Sequence, residues 1–128
     1  MSWKLFLLLL EAARLTVILS VVSIGGIGFL LATGVCAANM SQNRFARGAG
    51  WLFVSFFRGT PLLVQLLLIY YLLPSIGLDV PSEVAAVAGM SLCTAAYQAE
   101  IMRGGFAAVP TGLVEAADMA GMSRLTTF

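Results

Sequence analysis

The feature that most constrains this chain is the run from Leu15 to Ala38, which contains no charged residue. At about 1.5 Å per residue, a helix over this run is about 36 Å long, enough to cross a hydrocarbon core of about 30 Å. The whole chain is 60% hydrophobic and only 10% charged, which is far from the composition of a domain surrounded by water. We therefore predict a membrane-spanning helix at about residues 15–38.

Two later apolar stretches are predicted to span the membrane as well, at about residues 51–73 and 84–103. Residues 1–14 are too few to cross as a separate helix, and Trp3 and Lys4 suit the headgroup layer. We predict that residues 1–14 form an N-terminal interfacial segment. The expected fold is an all-α, polytopic membrane helix bundle with about three transmembrane helices within residues 15–104, followed by a cytoplasmic helical segment.

The second predicted span has two alternative geometries. Residues 61–73 would reach only about 20 Å as a helix, so the span must include residues 51–57. In one geometry the helix is continuous and bent at Pro61, which lacks a backbone donor. In the other it breaks at Gly59, and a new helix starts with Thr60 as N-cap and Pro61 at its first position. The sequence leaves both open.

The charges of the loops predict the orientation. Arg44 and Arg47 precede the second span, whereas the loop after it carries Asp79 and Glu83 and neither Lys nor Arg. Positively charged loops stay in the cytoplasm, so the first loop is predicted to be cytoplasmic and the N-terminus periplasmic. The net charge of +1 gives no reason to expect a nucleic-acid partner.

The sequence contains no recognisable catalytic set. It has no histidine, no GxxxxGK[ST] phosphate loop and no nucleophile with a base nearby. Cys36 and Cys93 lie in apolar stretches without CxxC spacing, which indicates packing rather than metal binding. We expect no enzyme activity, no cofactor and no metal site, so any ATP hydrolysis must take place on a separate nucleotide-binding subunit.

A more specific signal is the string FFRGTPLLVQLLLIYYLLP at residues 56–74. It resembles the second core helix of permease subunits in bacterial polar amino-acid ABC importers, which carry histidine, glutamine, arginine or opines. The residues that match the family motif are Arg58, Gly59, Thr60, Pro61 and Gln65. The resemblance implies a partial type I ABC importer permease fold, in the bacterial cytoplasmic (inner) membrane.

The string YQAEIMRGGFAAVPTGLVEAADMAGM at residues 97–122 resembles the same family's approach to its cytoplasmic coupling loop, here residues 105–128. Read alone, residues 113–120 predict a short helix that Gly121 ends, after which Ser123 could cap a second helix. The resemblance implies that the loop docks on the nucleotide-binding subunit through Glu115, Ala116, Ala117 and Gly121. Family members continue through two further spans, so the chain is interpreted as truncated after the start of this loop.

Polar residues in the third span have two interpretations. A charged side chain at the centre of a bilayer costs roughly 2.5 to 3.5 kcal/mol, so Gln98, Glu100 and Arg103 should face the bundle or its aqueous boundary. They are candidates for the translocation path. Alternatively, Glu100 and Arg103 are three residues apart on a helix and simply form an ion pair.

The functional hypothesis is a transmembrane permease subunit of an ATP-driven amino-acid uptake system. By resemblance, its partners are an ABC ATPase subunit, a second permease subunit, a periplasmic amino-acid-binding protein and the amino-acid substrate, all in or at a lipid bilayer. The alternatives are a three-helix oligomeric facilitator or channel, a non-functional fragment of a permease, and a membrane anchor. A passive pore or an anchor has no reason to carry the motif at residues 97–122.

Overall fold

The computed structural model describes residues 3–123, which form helices without any strand. The first three elements follow one another without a break and make one helix of 38 residues, Trp3–Met40, which we call the long helix. The elements are α1 (Trp3–Ser20), a π-helical segment (Val21–Gly28), α2 (Phe29–Met40), α3 (Arg44–Gly59), α4 (Leu62–Ser75), α5 (Ser82–Ala107) and α6 (Thr111–Met119). The all-α membrane fold expected from the sequence is confirmed.

The long helix passes through residue 14 without interruption. Residues 3–20 contain neither glycine nor proline and are rich in leucine and alanine, so nothing in them ends a helix. The predicted boundary between an interfacial segment and a span is therefore not a break in the backbone. Whether residues 1–14 lie at the membrane surface stays a prediction.

The core lies between α2 and α5. Ala32, Cys36, Ala95 and Ala99 form one buried cluster, and Phe53 of α3 packs against it. Three of these four buried residues are alanines, which let helix backbones approach closely, as is typical of packing between membrane helices. Both cysteines are free and buried, in agreement with a packing role.

The second predicted span consists of two helices, α3 and α4, whose axes differ in direction by 101°. The first, α3, starts at Arg44, earlier than the sequence suggested. The reason is an N-cap: the side-chain Oδ1 of Asn43 accepts a hydrogen bond from the Phe45 N–H at 3.0 Å. Among the described residues, two helices are long and apolar enough to span a membrane, and a third span results if α3 and α4 count as one.

Candidate functional site

The joint between α3 and α4, which we call the elbow, consists of residues 58–61. Pro61 has no backbone N–H, so the carbonyl of Phe57, four residues earlier, lacks its usual helical donor. The side-chain Nε2 of Gln65 occupies that place, 2.9 Å from the Phe57 oxygen. It also lies 2.9 Å from the Thr60 carbonyl oxygen and 2.8 Å from Thr60 Oγ1. Gln65 is only 3% exposed, so this amide is an internal link across the joint.

The break at the elbow matches the second of the two alternative geometries, with two differences. Thr60 does not cap the start of α4. Its Oγ1–H donates to the Phe56 carbonyl at 2.9 Å and its N–H to the same oxygen at 3.1 Å, so it closes α3 instead. Pro61 precedes the first residue of α4 and has an extended ψ of 137°.

The motif residue Arg58 connects the elbow with α5. Its guanidinium carbon lies 5.3 Å from the centroid of the Tyr97 ring, within the range of a cation–π contact. Gly59, in contrast, has open space where a Cβ would stand. Packing within the described residues therefore does not explain a glycine at position 59.

A cleft of about 410 Å³ opens between the end of α2, α3 and α5. Glu100 and Arg103 both line it and form an ion pair, with Arg103 Nε 3.0 Å from Glu100 Oε1. The ion-pair interpretation is therefore correct, and it does not separate the two residues from the cleft. The lining residues are Asn39, Arg47, Trp51, Val54, Ser55, Arg58, Glu100 and Arg103.

The charge of this cleft is positive on balance, because its lining contains three arginines and one glutamate. A concave surface with one sign of charge attracts ions of the other sign, here a carboxylate or another anionic group. Asn39 and Arg47 were not among the candidate site residues from the sequence, where Arg47 served only to predict the orientation. Only the packing of α2 and α3 against α5 brings them beside Glu100.

Gln98 does not line that cleft. Its Nε2 donates to the carbonyl of Ile24 in the π-helical segment at 3.2 Å. The structure thus brings Glu100 and Arg103 together but places Gln98 in a different contact, between α5 and the long helix.

The short helix α6 lies outside the packed bundle, and none of its residues is buried. Gly121 ends it with a φ of +72°, and its N–H bonds to Asp118 O at 3.0 Å while the Met122 N–H bonds to Ala117 O at 3.0 Å. This pair of bonds is a Schellman motif, which favours glycine at the left-handed position. The predicted helix and its glycine stop are confirmed.

On α6, Glu115 and Ala116 are exposed and Ala117 is partly buried. The second helix expected after Ser123 falls on residues 124–128, outside the described part of the chain. Within residues 3–123, no three histidine, cysteine, aspartate or glutamate side chains come together in a way that could hold a metal ion.

Two curated relatives are similar in sequence to most of this chain. The octopine transport system permease protein OccM of Rhizobium radiobacter is 38% identical, over 98% of this chain and 55% of that protein. The histidine/lysine/arginine/ornithine transport system permease protein HisM of Salmonella typhimurium is 38% identical, over 91% of this chain and 53% of that protein. The chain thus spans about half the length of the curated relatives it matches.

A solved structure shares the fold. It is described as the crystal structure of an amino acid ABC transporter with histidines, and it matches with a TM-score of 0.79 and 33% identity. The match covers 95% of this chain and 60% of that one. Residues 26–128 also match the family described as binding-protein-dependent transport system inner membrane component. The chain belongs to this family of binding-protein-dependent inner-membrane transport components.

Proposed function

We propose that this chain acts as a transmembrane permease subunit of an ATP-driven amino-acid uptake system. In this proposal it forms part of the substrate path and docks to a separate nucleotide-binding subunit, which hydrolyses the ATP. The observation that carries the proposal is α6, a helix without buried residues that ends in a glycine-closed turn. A helix that covers none of its own bundle leaves its surface available to a partner subunit.

The proposed contact with the ATPase consists of Glu115, Ala116, Ala117 and Gly121. Glu115 and Ala116 are exposed, and their small and charged side chains can meet a groove on a partner. Gly121 holds the turn that follows, so it sets the direction in which the chain leaves α6. A rigid helix and turn transmit a displacement of the ATPase to the membrane helices better than a flexible loop.

The proposed substrate path includes the cleft lined by Arg58, Glu100 and Arg103. An amino acid carries a carboxylate and an ammonium group at neutral pH, and the cleft offers side chains of both complementary signs. We propose that these residues, together with Gln98 at the contact with the long helix, face the path. A second permease subunit and a periplasmic amino-acid-binding protein would complete the system.

A photo-crosslinking experiment tests the proposed coupling. A photoreactive amino acid replaces Glu115 in the tagged chain, expressed in bacterial cells that contain the transport system. The matched control places the same group at Asp79, in the loop between α4 and α5. We expect an ATP-binding protein to be captured from position 115 and not from position 79. Equal capture from both positions, or capture from neither, would contradict the proposed docking.

Transport itself is tested in vesicles. The chain alone, reconstituted in lipid, is expected to take up no amino acid and to bind no nucleotide, because the proposal gives the ATPase and the rest of the path to other polypeptides or segments. Uptake of an amino acid by these vesicles would instead favour the oligomeric facilitator.

A further inference from the structure

The elbow and the residue before it present backbone carbonyls that the helices leave without a backbone donor, among them those of Phe57 and Thr60. The Phe57 carbonyl loses its donor because Pro61 has no N–H. The Thr60 carbonyl would pair with the Val64 N–H in a continuing helix, but Val64 donates to the Pro61 carbonyl instead, at 3.0 Å. Unpaired carbonyls inside a membrane protein are strongly unfavourable. Something else must therefore donate to both oxygens.

Gln65 supplies that donor. Its Nε2 lies 2.9 Å from each of these two carbonyl oxygens, and an amide nitrogen carries two hydrogens. The third neighbour, Thr60 Oγ1, already donates its hydrogen to Phe56 and can only accept here. Because all three neighbours are acceptors, the nitrogen of the Gln65 amide, and not its oxygen, must face the elbow.

We propose that Gln65 is the positioning residue that fixes the angle between α3 and α4, with its side-chain amide standing in for the missing backbone donors. The same joint carries Arg58, which lies over the Tyr97 ring and beside the cleft. Gln65 therefore also fixes the position of Arg58. The role of Gln65 in transport rests on the proposed function. Its role in the elbow angle does not.

A side chain that replaces Gln65 must supply hydrogen-bond donors to the two carbonyls. Methionine has nearly the length and volume of glutamine but no N–H, and leucine has no polar group at all. Either replacement leaves both carbonyls unpaired at a position that is 3% exposed. The bonds of the adjacent backbone cannot compensate, because Pro61 still blocks the helix from continuing. The joint is then expected to sample a range of angles instead of one.

A distance measurement between spin labels tests the inference in the full chain, reconstituted in lipid nanodiscs. Labels at Phe45 on α3 and Leu72 on α4 are both exposed and lie on opposite arms of the elbow. The native Cys36 and Cys93 are replaced by alanine, so that the spin labels attach only at positions 45 and 72. In a straight helix these two positions would be about 40 Å apart. The 101° bend between α3 and α4 makes the distance between them much shorter. We expect Gln65→Met to broaden the distance distribution at least twofold.

The matched control is Gln98→Met, which removes another amide that donates to a backbone carbonyl, at Ile24, away from the elbow. It should leave the distance between positions 45 and 72 unchanged. If Gln65→Met does not insert into the bilayer, Gln65→Leu, which also lacks a donor, is measured in the same way and is expected to broaden the distribution too. A distribution as narrow as that of the wild type in either inserted Gln65 variant overturns the inference, whether or not the transporter takes up amino acids.

Discussion

Gly28 lies so close to Thr94 of α5 that a Cβ on this glycine would stand 2.6 Å from the Thr94 hydroxyl oxygen. The same Cβ would come within 2.4 Å of the Ser23 carbonyl oxygen, in the preceding turn of the π-helical segment. A threonine side chain can rotate away, but a backbone carbonyl of the same helix cannot. The contact between the long helix and α5 therefore depends on the absence of a side chain at position 28.

Gly28→Ala should consequently weaken the bundle. Overpacking of a close contact typically costs 1 to 3 kcal/mol, so we expect a loss of about 2 kcal/mol in the free energy of unfolding. The measurement is unfolding in mixed micelles with increasing SDS, followed by circular dichroism. Gly34→Ala is the control in the same long helix, because its Cβ would meet nothing within 4 Å. Equal stability of the two variants would contradict this packing argument.

The orientation of the chain is tested by reporter fusions. Gln42 lies in the short connection between α2 and α3, beside the arginines of the predicted cytoplasmic loop. A reporter fused after Gln42 should be active in the cytoplasm, and one fused after Asp79 should be active in the periplasm. The reverse pattern would invert the predicted topology and place α6 on the side away from any ATPase.

Gly121 offers a test of the turn after α6. With φ at +72°, a residue with a Cβ at this position meets a penalty of roughly 1 to 2 kcal/mol for the left-handed conformation, so the turn is expected to open. We expect Gly121→Val to reduce crosslinking from position 115 to the ATP-binding protein severalfold. Gly112→Val, in α6 itself and with open space around its Cβ, is the control. Similar loss in both variants would assign the effect to α6 in general.

The contact of Arg58 with Tyr97 predicts a difference between two aromatic-site variants. Tyr97→Phe keeps a ring under the guanidinium, whereas Tyr97→Leu removes it, at a cost of about 0.5 to 1 kcal/mol for a partly exposed pair. In SDS unfolding, Tyr97→Leu should therefore be less stable than Tyr97→Phe by about that amount. In an Arg58→Ala background the difference should vanish, because no cation remains to lie over the ring.

Local patterns in the sequence predicted several elements correctly. The presence of long apolar helices follows from apolar runs, and the end of α6 follows from Gly121, since a left-handed C-terminal residue is strongly biased to glycine. The motif from Arg58 to Gln65 likewise marked the residues that meet at the elbow. In each case the information lies within a few neighbouring residues.

Other features depend on distant contacts and were not predicted. The π-helical segment receives the Gln98 amide from 74 positions further along the chain, and no local pattern encodes that contact. The cleft needs Asn39 and Arg47 to be carried to Glu100 by helix packing. In the alternative with a break at Gly59, Thr60 was expected to cap α4, whereas it closes α3, because its hydroxyl can serve the residues on either side and only the backbone geometry decides between them.

The length of the long helix has a consequence for how the chain sits in lipid. Its 38 residues extend about 57 Å, almost twice a hydrocarbon core of about 30 Å. Tilt absorbs only part of this hydrophobic mismatch, because at a steep tilt of about 40° the core still covers only about 39 Å of helix. About a dozen residues therefore exceed the length that the hydrocarbon covers, and they belong to a helix that continues without a break into the segment that packs on α5.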